Sequence, residues 1–127
     1  MVEFAIVLPL LFMLVFGIIE FGILLYNKAM VTNASREGAR LGILYSYPDP
    51  IPVTDIQNKV LAYCSGNMIT FGTAANPTTT VSGQCDAAGD PLTVNVTYPY
   101  KFLVLPNFVT SLTGTINVAA QTIMRCE

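Results

Sequence analysis

Three cysteines, eight carboxylates and no histidine define the chemistry this chain can do. Without an imidazole, Ser65, Ser82 and Ser111 have no base to activate them, and the commonest transition-metal ligand is missing. Serine or cysteine nucleophiles of the histidine-assisted kind are therefore excluded, and the sequence argues against an enzyme. Asp86 and Asp90 lie in a glycine-containing turn, yet their spacing lacks the regular ligand positions of a calcium loop. No metal, no cofactor and no small-molecule substrate is expected. Cys64, Cys85 and Cys126 are an odd set, which in an extracytoplasmic compartment suits one disulfide and one leftover thiol. Pairing Cys64 with Cys85 closes a short excursion and contributes on the order of 3 kcal/mol, which makes it the first choice. A Cys85 to Cys126 bridge is the main competitor, and three reduced buried cysteines are the remaining alternative.

Two carboxylates, Glu3 and Glu20, stand in apolar surroundings and raise a different question, that of where a charge can sit. From Phe4 to Tyr26 the only ionisable residue is Glu20. At ~1.5 Å per residue that run spans about 35 Å, enough to cross a hydrocarbon core of ~30 Å. A carboxylate at bilayer depth is expensive, so Glu20 either reaches the interface near Tyr26 and Asn27 or meets a partner in a neighbouring subunit. Net charge is −2, and the six Lys and Arg residues are scattered. No phosphate-tracking stripe can be drawn, so nucleic acid is not expected as a partner.

The elements that position these residues follow from composition. After Tyr26 the sequence becomes mixed while no proline appears before Pro48, so a single helix over 1–47 is expected, apolar at its start and wet at its end. Pro9 inside the apolar run predicts a break, a kink or a non-helical start there. The run is longer than the apolar core of a secretory signal peptide and no small-residue cleavage site follows it, so a signal peptide is the weaker reading. Its start also lacks a basic flank that would fix orientation. Farther along, Ala34, Gly38 and Gly42 recur every fourth residue, with Ser35 and Ala39 beside them. Such a strip of small residues calls for close packing, either by the chain's own sheet or by a neighbouring helix.

Residues 48–127 read as a small extracytoplasmic α+β head. The segment 47–52, YPDPIP, stops the first helix. Thr54 with Gln57 forms a capping-box pattern for a short second helix to about Cys64, whose Ile56, Val60, Leu61 and Cys64 share one face. Gly66 is placed to stop it. Thr78 to Ser82 fits a short edge strand. Leu92, Val94, Val96, Tyr98 and Tyr100 alternate with polar residues, and Ile116, Val118, Ala120, Thr122, Met124 and Cys126 do so again, which gives two strands of a small antiparallel sheet. Pro99 ends the first of these or makes it an edge. Residues 102–113 read as a loop or short helical turn. Asn33-Ala34-Ser35 and Asn95-Val96-Thr97 fit the N-glycosylation pattern, although unmodified surface is the simpler reading.

The string VEFAIVLPLLFMLVFGIIEFG, followed by ASREGARLG and closed by TIMRCE, resembles the TadE-like family of pilin-related proteins. The resemblance covers both ends of the chain. It implies a type IV pilin-like fold, with a small subunit processed by a prepilin peptidase, held in the inner or cytoplasmic membrane before assembly and built into an extracellular tight-adherence (Tad) pilus. Its implied partners are copies of itself or other pilins, the membrane, and the pilus assembly machinery. The assembly residues so implied are Glu3, Pro9, Glu20, Gly38 and Gly42. Such pilins usually carry a glutamate at the fifth position of the processed chain, whereas the matching residue here is Glu3, so the chain starts two residues inside the mature protein or its processing differs. In an assembly of this kind Glu3 would pair with an N-terminal ammonium, its own or a neighbour's. The alternatives are a Glu3 merely solvated at the membrane surface and, for the whole chain, a minor pseudopilin that primes or tips a pilus or an anchored binding module that does not polymerise.

Overall fold

The computed structural model describes residues 1–44, 49–70, 75–102, 111–112 and 115–127. Its elements are α1 (Val2–Gly42), α2 (Val53–Asn67), β1 (Thr78–Ser82), β2 (Pro91–Tyr100) and β3 (Ile116–Arg125). The expected α+β arrangement is present: a long N-terminal helix, a short second helix, and a three-stranded antiparallel sheet in the order β1-β2-β3.

α1 has 41 residues and measures about 60 Å at ~1.5 Å per residue. It runs through Pro9 without a break, and its start is helical from Val2. The one backbone bond that Pro9 cannot make is outweighed by the uninterrupted ladder on both sides. The helix ends at Gly42, earlier than the expected Tyr47, where the Ile43 N–H closes on the Ala39 carbonyl at 3.0 Å and Leu44 on Leu41 at 3.2 Å. Tyr47 itself lies outside the described residues, as does most of the expected turn at 102–113.

α2 begins one residue before the predicted cap. Pro52 takes the N-cap position without a side-chain cap, its carbonyl receiving Asp55 and Ile56. Gln57 does not reach back along the helix; its Nε2 donates to the Thr79 carbonyl at 3.2 Å and so ties α2 to β1. The helix passes through Gly66 to Asn67, whose Nδ2 donates to the Tyr63 carbonyl at 2.8 Å. Ile56, Val60 and Cys64 are buried as their spacing predicts, but Leu61 is exposed.

In β2, Leu92, Val94, Val96, Tyr98 and Tyr100 are all buried, and their alternation sets the register with β3 from Pro91↔Arg125 to Tyr100↔Ile116. β1 reaches only as far as Thr78↔Thr97, so among the described residues the strand has a neighbour on one side only at Pro99. A missing N–H is tolerated at such a local edge. The inner face of the sheet packs on α1 and α2 around Val31, Ala34, Val60, Val94 and Val118.

Candidate assembly surface

α1 divides into two halves by what covers it. From Val2 to Phe16 every residue is exposed, and Phe4, Ile6, Leu10, Phe12, Met13 and Ile18 present large apolar side chains to the outside. Glu3 and Pro9 both lie on this free half. The helix is long and apolar enough to cross a membrane, and none of its most apolar stretch is buried inside the chain. Phe12 and Phe16, one turn apart, stack with ring centroids 6.1 Å apart. A surface of this area stays out of water only in lipid or against other helices.

The second half of α1 is the spine of the head. Val31, Ala34, Ser35, Gly38, Ala39 and Gly42 are buried. A Cβ on Gly38 would stand 2.6 Å from Val60 Cγ2, and one on Gly42 would collide with Leu92 Cδ2 and Ile56 Cδ1. The small-residue strip is therefore filled by the chain's own α2 and β2. Gly38 and Gly42 serve the packing of head on rod, and a neighbouring helix has no access to them, which corrects their assignment to assembly.

Polar side chains fix the height of the head on the rod. Asn27, fully buried, donates from Nδ2 to the Ile69 carbonyl at 2.8 Å and accepts the Ile69 N–H at 3.0 Å. Ser35 Oγ donates to the Thr32 carbonyl and meets Thr122 Oγ1 at 2.7 Å on β3. Lys28 Nζ donates to the Ala119 carbonyl on the outer edge of β3. Lys59 and Glu37 form an exposed ion pair at 3.6 Å between α2 and α1. Ser35, the hydroxyl residue of one glycosylation pattern, is thus engaged inside the head. These anchors were not singled out from the sequence; the signal for Asn27 was its place as the first amide after the apolar run.

Glu20 is 3% exposed and lies beneath the end of β2 that carries Tyr100. Its cover comes from its own head, a source the sequence did not indicate, on the approach to Tyr26 and Asn27 where the interface was expected. Burial pushes the Tyr100 phenol up, and the Glu20 carboxylate and Tyr98 add to the shift. Tyr100 Oη has no hydrogen-bond partner among the described residues, while its ring meets Phe102 edge-on at 5.2 Å.

The cysteines pair differently from the first choice. Cys85 is bonded to Cys126, Cα–Cα 5.5 Å, and Cys64 is a buried free thiol. Cys64 borders a cavity with Tyr98, near the rod-proximal end of β2, whereas Cys85 sits by the turn before Pro91 at its other end. Some six strand residues, about 20 Å, separate those levels, and a disulfide spans less than ~7 Å between Cα atoms. The Cys126 N–H donates to the Asp90 carbonyl at 2.9 Å and the Gly89 N–H to the Cys126 carbonyl at 2.8 Å, which holds the chain end against the turn. In that turn Asp90 Oδ2 accepts the Ala87 N–H at 3.2 Å. Among the described residues no group of His, Cys, Asp or Glu side chains is placed to hold a metal ion.

A helix with one wholly exposed apolar half and one half built into a small α+β head is the geometry of a pilin-like subunit. Residues 1–40 match the family model for TadE-like protein. The TadE-like match is to a pilus-related family and covers both the free half of α1 and most of its buried half. No curated protein and no solved structure matches the chain.

Proposed function

We propose that this chain is a structural subunit of a Tad-like, type IV pilus-like filament, held in the membrane before assembly and polymerised through the free half of α1. The observation that carries the reading is the contrast along one helix: Val2 to Phe16 is bare on every side, while from Val31 to Gly42 one face is sealed by the head and only the other, with Asn33, Arg36 and Arg40, is exposed. An apolar helix packs as well in lipid as against like helices, so one segment serves storage and filament core. The head then tiles the outside and carries the surface role, adhesion among the candidates.

Quantitative mass spectrometry of appendages sheared from cells and purified tests this. Recovery of the chain in the filament fraction, with its cleaved N-terminus, is the expected result. Confinement of the chain to the membrane fraction would remove the polymerising role and leave an anchored module.

A further inference from the structure

The apolar face of the rod does not stop where the head begins. On the outer side of α1, Phe21 (60% exposed), Gly22, Leu25 (54% exposed) and Tyr26 remain exposed and uncharged, while on the inner side Glu20, Ile23, Leu24 and Asn27 are already covered by the head. Lipid-compatible rod and head therefore overlap from Glu20 to Tyr26, about 9 Å along the axis at ~1.5 Å per residue. No polar stalk separates them. The headgroup layer on each side of a bilayer's hydrocarbon core is about 5–7 Å deep, comparable with this overlap.

The near end of the head has a surface to match. Ile69 (40% exposed) is locked at this height by its two hydrogen bonds with Asn27. Leu112 (71% exposed) is four residues ahead in sequence of Ile116, which pairs with Tyr100 at the same end of the sheet. Phe102 is half-buried against Tyr100, and Lys101 is exposed beside it, with a stem long enough to follow apolar surface and a head suited to lipid phosphate.

We propose that Ile69, Phe102 and Leu112, together with Phe21, Leu25 and Tyr26 of the rod, form a collar that docks on a phospholipid surface at the boundary between headgroups and acyl chains. The inference rests on the reading of α1 as membrane-held before assembly. Docking fixes how deep the subunit sits and which way the head faces, and drawing the subunit out of the membrane strips lipid from the collar as well as from the helix.

The chain contains no tryptophan, so single substitutions give unambiguous fluorescence reporters. The full chain would be placed in phosphatidylcholine vesicles with and without brominated lipid, the bromines high on the acyl chain for the head positions and near its lower end for the helix, carrying Ile69→Trp, Leu112→Trp, Phe12→Trp for the helix, or Ile123→Trp at the far end of β3. A Cys64 that stays unreactive to thiol reagent shows that each variant is folded. Expected is strong quenching of Phe12→Trp and quenching of both collar variants at least about twofold beyond that of Ile123→Trp, as insertion at the interface requires. Quenching of Phe12→Trp with either collar variant no more quenched than Ile123→Trp overturns the collar and leaves the membrane helix standing. An unquenched Phe12→Trp overturns the membrane reading and the collar with it. Collar emission that shifts with protein density but not with bromination assigns the surface to a second copy and also overturns the proposal.

Discussion

At Gly38 a methyl group has nowhere to go. The atom it would meet, Val60 Cγ2 at 2.6 Å, belongs to a stiff β-branched side chain, whereas Gly42 faces the movable ends of Leu92 and Ile56. Gly38→Ala should destabilise the head by about 1–2 kcal/mol even after the helix-propensity gain of ~1 kcal/mol, and Gly42→Ala by less; urea unfolding of the two variants checks the order. At Tyr100 the cost runs the other way. Its buried hydroxyl lacks a partner among the described residues, so Tyr100→Phe should leave stability within about 1 kcal/mol of wild type or raise it. Burial raises the Tyr98 and Tyr100 phenols and the Cys64 thiol above their ordinary values. A group whose folded pKa is raised gives stability that is complete below its unfolded pKa and is lost as pH climbs from there to the folded value. The thermal midpoint should hold from neutrality to about pH 8, then fall, more steeply above about pH 10 where free phenols ionise. Tyr100→Phe should flatten the upper part of that fall. The glycine strip was legible because spacing alone puts Gly38 and Gly42 on one face. The disulfide was not, because which cysteines meet depends on the β2–β3 register and on the height of α2, neither of which is written locally. Peptide mapping without reduction should recover Cys85 joined to Cys126, and Cys126→Ser should cost about 4 kcal/mol for a loop of 41 residues.

Among the elements, β2 and β3 were readable from alternation because one face of each is buried and the other is not. Pro99 was readable too, as a place where β2 loses a neighbour. The start of α2 was misjudged by two residues because Pro52, with its fixed φ, supplies the N-cap carbonyl directly and frees Gln57 to hold β1. Along α1 the break at Pro9 was misjudged because a long ladder absorbs one missing bond, and the cover on Glu20 was not legible because nothing local announces that the head reaches down to it. The helix therefore carries two kinds of glycine. A Cβ on Gly17 or Gly22 meets nothing within 4 Å, in contrast to Gly38 and Gly42. Gly17→Ala should leave the unfolding midpoint of the head unchanged, and any loss of filament in that variant then measures a contact between subunits. A lowered midpoint would mean that the free half is coupled to the head.

For the whole molecule, the division of α1 into a bare half and a sealed half is what links fold to function. Glu3 lies on the bare half, in the first turn of α1. Glu3→Ala should leave membrane insertion intact and reduce incorporation into filaments; wild-type incorporation would show that its carboxylate pairs with nothing in the assembly. The most direct test of the account is the accessibility of the bare half in intact appendages. With Phe12→Cys as a reporter, the proposed placement of the segment in a filament core requires the thiol to resist a water-soluble maleimide in purified filaments and to react once detergent dissociates them. Rapid labelling in intact filaments would contradict that placement.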